Sequence, residues 1–522
     1  MKTNYFKYIF GLMLLTSVYS CKKSLDINEN PNVATSASVN TVLPTSIVGT
    51  AANVVTYNNS PRGAQLVGYY ANGGGVSGWG SIISYNYNTS DGQNLWANTY
   101  DVLENVKYVI DNSEGVAALN EFNAAAKVLK AYNYQLLVDT YNDVPYTEAL
   151  LGTQNLQPKY DKGVDIYKAL GDLCDDAIAK FKAVTTKSPA FATSDPLFAG
   201  DPVKWAQFAQ TLKLKLVIRA GSKVAFTNTT FDGAVGFLTQ DAIVQPGYVK
   251  QENKQNPMWN AWAYSYAGAA ISAASQYAPT PWILSFYDGT KLTDPARKGV
   301  VYKVATPAVN QLGYQGSDAG RGASPSSWFR GTNATTYEKI GILKGPDAGQ
   351  PIMLATESYM LQAEGNLKGL VSTGTALANF ENGVIASFNY LYKDNTGAVT
   401  AGKNASTDFA AYKAANSNSH LVNFSLATND AERLEAIITQ KYIAFNMLFA
   451  HESWNEYVRT GYPTIVPGSN NKTLTFASTA SEATTPDRLP TRILYPITEF
   501  QYNPSNVPTD VDKYSTKIFW AK

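Results

Sequence analysis

The chain has 522 residues, 45% of them hydrophobic, so it is long enough to bury a large core without disulfide bonds. Its 42 basic and 41 acidic residues nearly cancel, which excludes a global electrostatic attraction to nucleic acid or to an anionic membrane face. With two cysteines and two histidines, the composition also argues against a disulfide framework and a histidine-rich metal site.

The first twenty residues have the layout of a cleaved secretory signal. Lys2 and Lys7 are followed by a mostly apolar run over 8–18, which is too short to span a bilayer. We therefore predict a signal peptide over residues 1–20.

A lipid anchor is predicted directly after this signal. Ser20 precedes Cys21, and with Val18 they resemble the lipobox at which bacterial lipoproteins are cleaved and acylated on the new N-terminal cysteine. An ordinary signal peptide beside a chance cysteine is the alternative. We expect a lipidated tether over 21–42 and one large domain over 43–522, because no linker-like tract divides the rest of the chain.

Apolar residues spaced three and four apart predict a mainly α-helical scaffold, mostly within 95–225 and 350–460. Helices are expected near residues 95–111, 121–141, 164–182, 203–222 and 352–368. Three apolar stripes run from Trp205 to Leu216, from Leu377 to Leu391 and from Leu434 to Phe449. The helices come in pairs of roughly repeat length, which indicates packed hairpins of the tetratricopeptide kind.

Long irregular segments separate these helices. They are predicted over 57–93, 310–336, 393–408 and 466–488, and they are rich in Gly, Ser, Asn and other polar residues. Long loops are uncommon in compact domains unless they are functional. A loop-rich ligand side is therefore expected, mainly within 57–93 and 226–349.

Motifs along almost the whole chain match one known family. Four are Asp-Ile-Asn-Glu-Asn-Pro-Asn at 26–32, Tyr-Asn-Asp-Val-Pro-Tyr-Thr-Glu-Ala at 141–149, the helix from Trp205 to Arg219, and Thr-Asp-Pro-Ala-Arg at 293–297. The most specific are Glu-Ser-Trp-Asn-Glu-Tyr-Val-Arg-Thr-Gly-Tyr-Pro at 452–463 and Arg-Ile-Leu-Tyr-Pro-Ile-Thr-Glu at 492–499. By these motifs the chain resembles the SusD/RagB family, and more closely the nutrient-binding outer-membrane lipoproteins of its second SusD-like subgroup.

This resemblance implies a SusD-like fold with four tetratricopeptide-like helical hairpins and long irregular ligand-binding loops. It also implies a lipid-anchored protein of the outer membrane that faces the cell exterior. Such a protein captures a nutrient and delivers it to a SusC-like TonB-dependent β-barrel transporter, without catalysis, cofactor or metal. Two departures are Ala296, which interrupts the usual Pro-Arg pair, and the absence of an acidic cluster after Cys21.

Several side chains imitate catalytic groups. Glu357 and Glu364 are two helical turns apart, about 10.5 Å along the axis, which exceeds the spacing of either type of glycosidase pair. Glu452 and Glu456 are one turn apart, but they stand in a motif to which the resemblance assigns a structural role. His451 begins a His-Glu-x-x-His pattern whose second histidine is missing. The chain is therefore not expected to be an enzyme.

Aromatic residues in the loops are the candidates for ligand binding, because flat rings can stack under a sugar. The predicted binding residues are Trp79, Tyr85, Tyr87, Trp262, Tyr264, Trp328 and Arg330. Core packing is the alternative for each. Trp79 and Trp328 are the strongest candidates for one shared site, because most of their neighbours offer little apolar surface to bury them.

Two classes of function remain open. One is capture for a transporter, with a glycan or oligosaccharide favoured and a peptide or other nutrient possible. The other is a helical scaffold that binds other proteins of a transport complex, as tetratricopeptide arrays often do. Tryptophan in Gly- and Ser-rich loops favours capture.

Overall fold

Helices dominate the structure, a computed structural model that describes residues 37–60, 63–72, 79–273, 277–302, 328 and 333–522. The helices are α1 (Val39–Asn59), α2 (Gly80–Ser84), α3 (Gln93–Asp111), α4 (Asn120–Tyr141), α5 (Gly163–Lys182), α6 (Pro189–Ser194), α7 (Pro202–Ala220), α8 (Pro257–Trp262), α9 (Pro281–Leu284), α10 (Pro295–Val301), α11 (Ala355–Leu367), α12 (Ala376–Tyr392), α13 (Ala405–Ala415), α14 (Asp430–Ala444), α15 (Ala450–Thr460) and α16 (Ile497–Tyr502). The short strands are β1 (Tyr70–Asn72), β2 (Ala242–Val244), β3 (Tyr277–Pro279) and β4 (Gln350–Met353). The predicted mainly α fold is confirmed.

Local sequence signals account for where the long helices begin and end. The side chain of Asp201 accepts hydrogen bonds from the N–H groups of Val203 and Lys204, and Pro202 occupies the first position of α7. The same helix ends at Gly221, whose φ of 54° is readily adopted by glycine. Thr375 caps α12 by accepting from the N–H of Ala378.

Sequential helices pack against each other to form the scaffold. Helix α3 lies on α4, α4 on α5, α5 on α7, and α11 on α12. Helix α14 and helix α7 both contact α11, which joins the C-terminal helices to the N-terminal group. That these pairs form four tetratricopeptide-like units stays a prediction.

Helix α1 was not predicted, although it has 21 residues. Its sequence is rich in Thr, Val and Asn and contains Pro44, so its propensity for helix is low. Tertiary packing overrides this, because α1 lies between α3, α4, α8 and α15 and is buried along most of its length. The helix begins at Val39, within the stretch assigned to the tether.

The third apolar stripe is longer than the helix it predicted. Helix α14 ends at Ala444, and Met447 has a φ of 63°, so Leu448 and Phe449 lie in a turn outside the helix. These residues are still buried, because the turn leads directly into α15. The stripe therefore marked the core correctly and misplaced the end of the helix.

Two short antiparallel sheets connect distant parts of the chain. Strand β1 pairs with β3, with Tyr70 opposite Pro279 and Asn72 opposite Tyr277. Strand β2 pairs with β4, with Ala242 opposite Met353. The first sheet positions the aromatic residues of the candidate site.

Of the two cysteines, only Cys174 lies within the described residues. Cys174 is fully buried in α5, where burial raises the pKa of its thiol, as suits a small apolar core residue. Cys21 and the 26–32 motif lie outside the described residues. Within the described ranges, no helix is both long and apolar enough to cross a membrane.

Candidate ligand-binding site

The β1–β3 sheet stacks two tyrosine rings. Tyr70 and Tyr277 lie on the same face as diagonal neighbours, because Tyr277 is opposite Asn72 and side chains alternate along a strand. Their ring centres are 5.2 Å apart and their planes differ by 4°. This stacked pair lies at the centre of an aromatic cluster.

Three tryptophans surround Tyr70 with their ring planes tilted steeply to it. The ring centres of Trp79, Trp262 and Trp328 lie 6.1, 5.0 and 6.1 Å from that of Tyr70, at interplanar angles of 87°, 71° and 75°. Edge-to-face contact is a favoured geometry for aromatic pairs. The structure thus brings Trp79, Trp262 and Trp328, three of the predicted binding residues, together at one place.

The expectation that little apolar surface buries Trp79 and Trp328 is wrong. Their exposed fractions are 4% and 2%, because rings from distant segments cover them where their own Gly- and Ser-rich neighbours cannot. Tyr277 is half-buried, so part of its ring reaches the surface. Burial, and then the neighbouring Tyr277, raise the pKa of Tyr70, which stays a neutral phenol.

The cluster contains two buried indole N–H groups that differ in their hydrogen bonding. Trp262 Nε1 donates to Asn59 Oδ1 at 2.5 Å. Trp328 Nε1 is buried and has no hydrogen-bond partner among the described residues. A buried donor without a partner calls for an explanation, and a hydroxyl group of a ligand would supply an acceptor.

The other predicted binding residues lie outside this cluster or outside the described residues. Tyr85 and Tyr87 are fully buried against the C-terminal segment, where the hydroxyl of Tyr85 accepts from the N–H of Ser478 at 2.9 Å. Tyr264 is half-buried, with its ring centre 6.3 Å from that of Trp259. Arg330 lies outside the described residues.

Sequence reasoning missed Tyr70 and Tyr277, the two rings at the centre of the cluster. Each stands in a strand of three residues, and the strands are about two hundred positions apart, so no periodicity could reveal their pairing. The only local signal is a tyrosine close to a Gly-rich stretch of sequence at one position and to Pro279 at the other.

The carboxylates that imitate a catalytic pair form buried ion pairs. Lys215 Nζ lies 2.8 Å from a carboxylate oxygen of Glu357 and 3.2 Å from one of Glu452. Arg219 donates to Glu452 and to Asp139. These side chains are at most 2% exposed, so the charges stabilise one another in the core and do not face a cleft.

The same network continues along α15. Arg459 forms a two-pronged ion pair with Glu364, at 2.6 and 2.8 Å, and also contacts Glu456. Lys441 Nζ lies 2.9 Å from Glu456. Burial alone would raise the pKa of Glu456, but the charges of Arg459 and Lys441 outweigh burial and hold that pKa well below its usual range.

Asp139 is a second centre of this network. Its carboxylate accepts hydrogen bonds from Tyr167, from Gln135 at 2.7 Å and from the indole N–H of Trp520 at 2.9 Å, besides Arg219.

The histidine of the incomplete His-Glu-x-x-His pattern is a packing residue: His451 packs on the ring of Tyr57. Among the described residues, no three His, Cys, Asp or Glu side chains are grouped as a metal ion would need.

A sequence model for one family matches residues 31–496 of the chain. That family is SusD-like, described as starch-binding and associating with the outer membrane. No curated protein sequence matches the chain.

Solved structures of similar fold cover nearly the whole chain. A chitin-binding SusD homologue from Flavobacterium johnsoniae is 20% identical with a TM-score of 0.69, and the match covers 92% of this chain and 98% of that one. A SusD homologue from Bacteroides uniformis is 21% identical with a TM-score of 0.63, and the match covers 92% and 99%. A SusD-like protein from Bacteroides thetaiotaomicron is 22% identical with a TM-score of 0.63, and the match covers 92% and 98%. These likenesses show a shared fold.

Proposed function

Because this chain belongs to the SusD-like family of starch-binding proteins that associate with the outer membrane, we propose that it binds a glycan or oligosaccharide as a nutrient. The observation that carries the proposal is the aromatic cluster around Tyr70, with its half-buried Tyr277 and an N–H of Trp328 that has no partner among the described residues. A ring face and a hydrogen-bond donor match the apolar face and the hydroxyl groups of a sugar.

Binding without catalysis fits the chemistry of the carboxylates. Glu357, Glu364, Glu452 and Glu456 are engaged in buried ion pairs, so they are poorly placed to exchange protons with a substrate. The cluster itself contains aromatic rings and an amide oxygen, which can orient a ligand and cannot act as nucleophile or general base at neutral pH. These features support a capture protein over a hydrolase.

Starch and chitin oligosaccharides are the first ligands to test, since the family is described as starch-binding and the Flavobacterium johnsoniae homologue of similar fold is a chitin-binding protein. We expect calorimetry on the mature protein to detect one of them. Tyr277→Ala and Trp79→Ala should weaken binding by about 1–3 kcal/mol, roughly five- to hundredfold in dissociation constant. Tyr502→Ala, which removes an exposed ring on α16, is the matched control.

Trp328→Phe separates binding from packing. It keeps an aromatic ring in the cluster and removes the N–H for which the described part of the chain offers no acceptor, so affinity should fall while the melting temperature changes little. Trp79→Ala and Trp328→Ala should lower both, because both rings are buried. Unchanged affinity in all four cluster variants, alongside lowered melting temperatures, would show that the rings only pack and that the ligand site lies elsewhere.

We further propose that the protein delivers its ligand to a SusC-like TonB-dependent β-barrel transporter, as a lipid-anchored partner on the outer face of the outer membrane. Family membership supports this step. Gentle solubilisation of outer membranes with detergent should co-purify a large barrel protein with the chain. Recovery of the chain alone under several mild detergents would count against the partnership.

A further inference from the structure

A cavity on the helical side of the molecule lies apart from the aromatic cluster. It has a volume of about 200 Å³ and is formed by α3, α4 and the loop that follows α4. Two tyrosine rings, Tyr134 and Tyr146, and two lysines, Lys107 and Lys130, line it together with Asp111. The cavity therefore combines flat apolar faces with cationic groups.

Lys130 forms no ion pair among the described residues. Its Nζ lies 4.6 Å from the ring centre of Tyr146 and 5.9 Å from that of Tyr134. Burial, and then the charge of Lys107, lower the pKa of Lys130. By contrast Lys127, one turn earlier on α4, pairs with Glu114 at 2.8 Å and Asp176 at 2.7 Å.

The carboxylates close to the cavity are already engaged. Asp111 forms an ion pair with Lys107. Asp161 accepts from the N–H groups of Tyr146 and Thr147, each at 2.9 Å, and from the hydroxyl of Thr147 at 2.8 Å. The lining groups of the cavity, two lysines and one aspartate, thus carry a net positive charge, and Lys107 and Lys130 share the negative charge of Asp111.

We propose that this cavity binds a small organic acid, a sugar acid of monosaccharide size, whose carboxylate pairs with Lys130 and whose ring lies against Tyr134 and Tyr146. Drug-sized ligands occupy about 300–1,000 Å³, so a smaller cavity selects a smaller ligand. A carboxylate would give the half-buried ammonium a charge-assisted hydrogen bond that the described residues do not supply. The site is separate from the aromatic cluster, and its ligand is independent of the function proposed above.

A larger cavity of about 340 Å³ at the end of α15 does not single out a ligand in this way. Two of its three charged side chains are already hydrogen-bonded: Asp487 accepts from the hydroxyl of Tyr457 at 3.0 Å, and Lys517 donates to the carbonyl oxygen of Lys522 at 2.7 Å. The smaller cavity is distinguished by the ammonium of Lys130, which lies over two tyrosine rings.

The test compares glucuronate with glucose, because they differ in one carboxylate at the same ring size. Calorimetry on the mature protein should detect glucuronate at millimolar concentration and should find glucose at least about tenfold weaker, since hydrogen bonds to charged groups are stronger. Lys130→Gln should lose this preference, and Lys130→Arg should keep it. Lys182→Gln is the matched control, because Lys182 is an exposed lysine paired with Asp232 and neither residue lines the cavity.

Thermal melts supply an independent reading on the folded protein. Glucuronate should raise the melting temperature of the wild-type protein and of Lys182→Gln, and should leave that of Lys130→Gln unchanged. No glucuronate binding, equal binding of glucose, or undiminished binding by Lys130→Gln would each overturn the proposal.

Discussion

Arg219 is the side chain on which the buried charges depend most. It is 1% exposed and contacts the carboxylates of Asp139, Glu452 and Glu456. Arg219→Met should lower the free energy of unfolding by about 3–5 kcal/mol, because it leaves buried carboxylates without their counter-charge. Urea denaturation followed by circular dichroism measures the loss.

Lys168→Met is the control for Arg219. It removes an ion pair with Asp172 in which both side chains are nearly half exposed, where water and salt screen the charges. Its urea midpoint should stay close to that of the wild-type protein. Similar midpoints for the two variants would show that the buried network adds little to stability.

Lys344 gives the protein a pH dependence above neutrality. Burial, and then the charge of Lys393, lower its pKa from the ordinary 10.5 to about 7. The two N–H groups of the neutral amine match its two acceptors, the carbonyl oxygens of Tyr390 and Lys393. Between these pH values the unfolded chain holds a proton that the folded chain lacks, so stability rises with pH across this window.

The variant Lys344→Met isolates this effect, because it lacks the titrating group and keeps the others. The free energy of unfolding of the wild-type protein, measured relative to Lys344→Met, should rise by up to about 1.4 kcal/mol per pH unit from about pH 7 towards 10.5. Urea titrations at several pH values give this difference directly. A difference that stays flat or falls with pH would mean that Lys344 remains charged in the folded state.

Close packing between elements makes certain glycines indispensable. A Cβ at Gly163, where α5 begins, would lie 2.6 Å from the backbone oxygen of Asn142 after α4 and 3.0 Å from the ring of Phe519. Gly163→Ala should therefore destabilise the protein by about 1–3 kcal/mol, as overpacking does. Thermal and urea denaturation both report this.

Gly299 in α10 is the matched position, because a Cβ there meets no heavy atom within 4 Å. Gly299→Ala should be neutral or stabilise by about 0.5–1 kcal/mol, since alanine favours the helix. If both substitutions destabilise the protein equally, crowding against Asn142 and Phe519 is not the cause.

Sequence patterns located most long helices, because the spacing of apolar residues along a helix is a signal of its own. Predicted helices near 121–141 and 164–182 lie within one residue of α4 and α5. Helix α1 was missed because it is buried on several faces and contains Pro44, so packing determines it and local propensity does not. The β1–β3 pairing was missed because its two strands have three residues each and lie about two hundred positions apart. The central position of Tyr70 was missed with it.

The motifs that revealed the family are largely parts of the core. Asp294 caps α10 and pairs with Arg297, which also stacks on the rings of Phe388 and Tyr412. Ala296 lies within α10, directly before Arg297. Motifs of this kind identify a fold reliably and say little about the ligand, whose binding residues come from loops.

On the scale of the whole molecule, Cys21 is predicted to be the sole membrane anchor. Cys21→Ala should release the protein from the outer membrane into the periplasm, because a lipid-modified cysteine would be the only attachment. Cys174→Ala, which changes the buried cysteine of α5, should remain with the membrane. Membrane fractionation distinguishes them, and retention of Cys21→Ala through high salt and carbonate would refute lipid anchoring.

The buried network around Asp139 joins segments that are synthesised far apart in time, which bears on the order in which the core can fold. Trp520, a partner of Asp139, lies 381 residues later in the chain, and Glu452, which shares Arg219 with Asp139, lies 313 residues later by their numbers. A chain that emerges N-terminus first exposes Asp139 and Arg219 long before either arrives. The N-terminal helices then hold Arg219 and Lys215 before their shared partner Glu452 is present, so the return of the C-terminal segment completes the core. During this interval the growing chain is most exposed to aggregation and most in need of a chaperone that holds it.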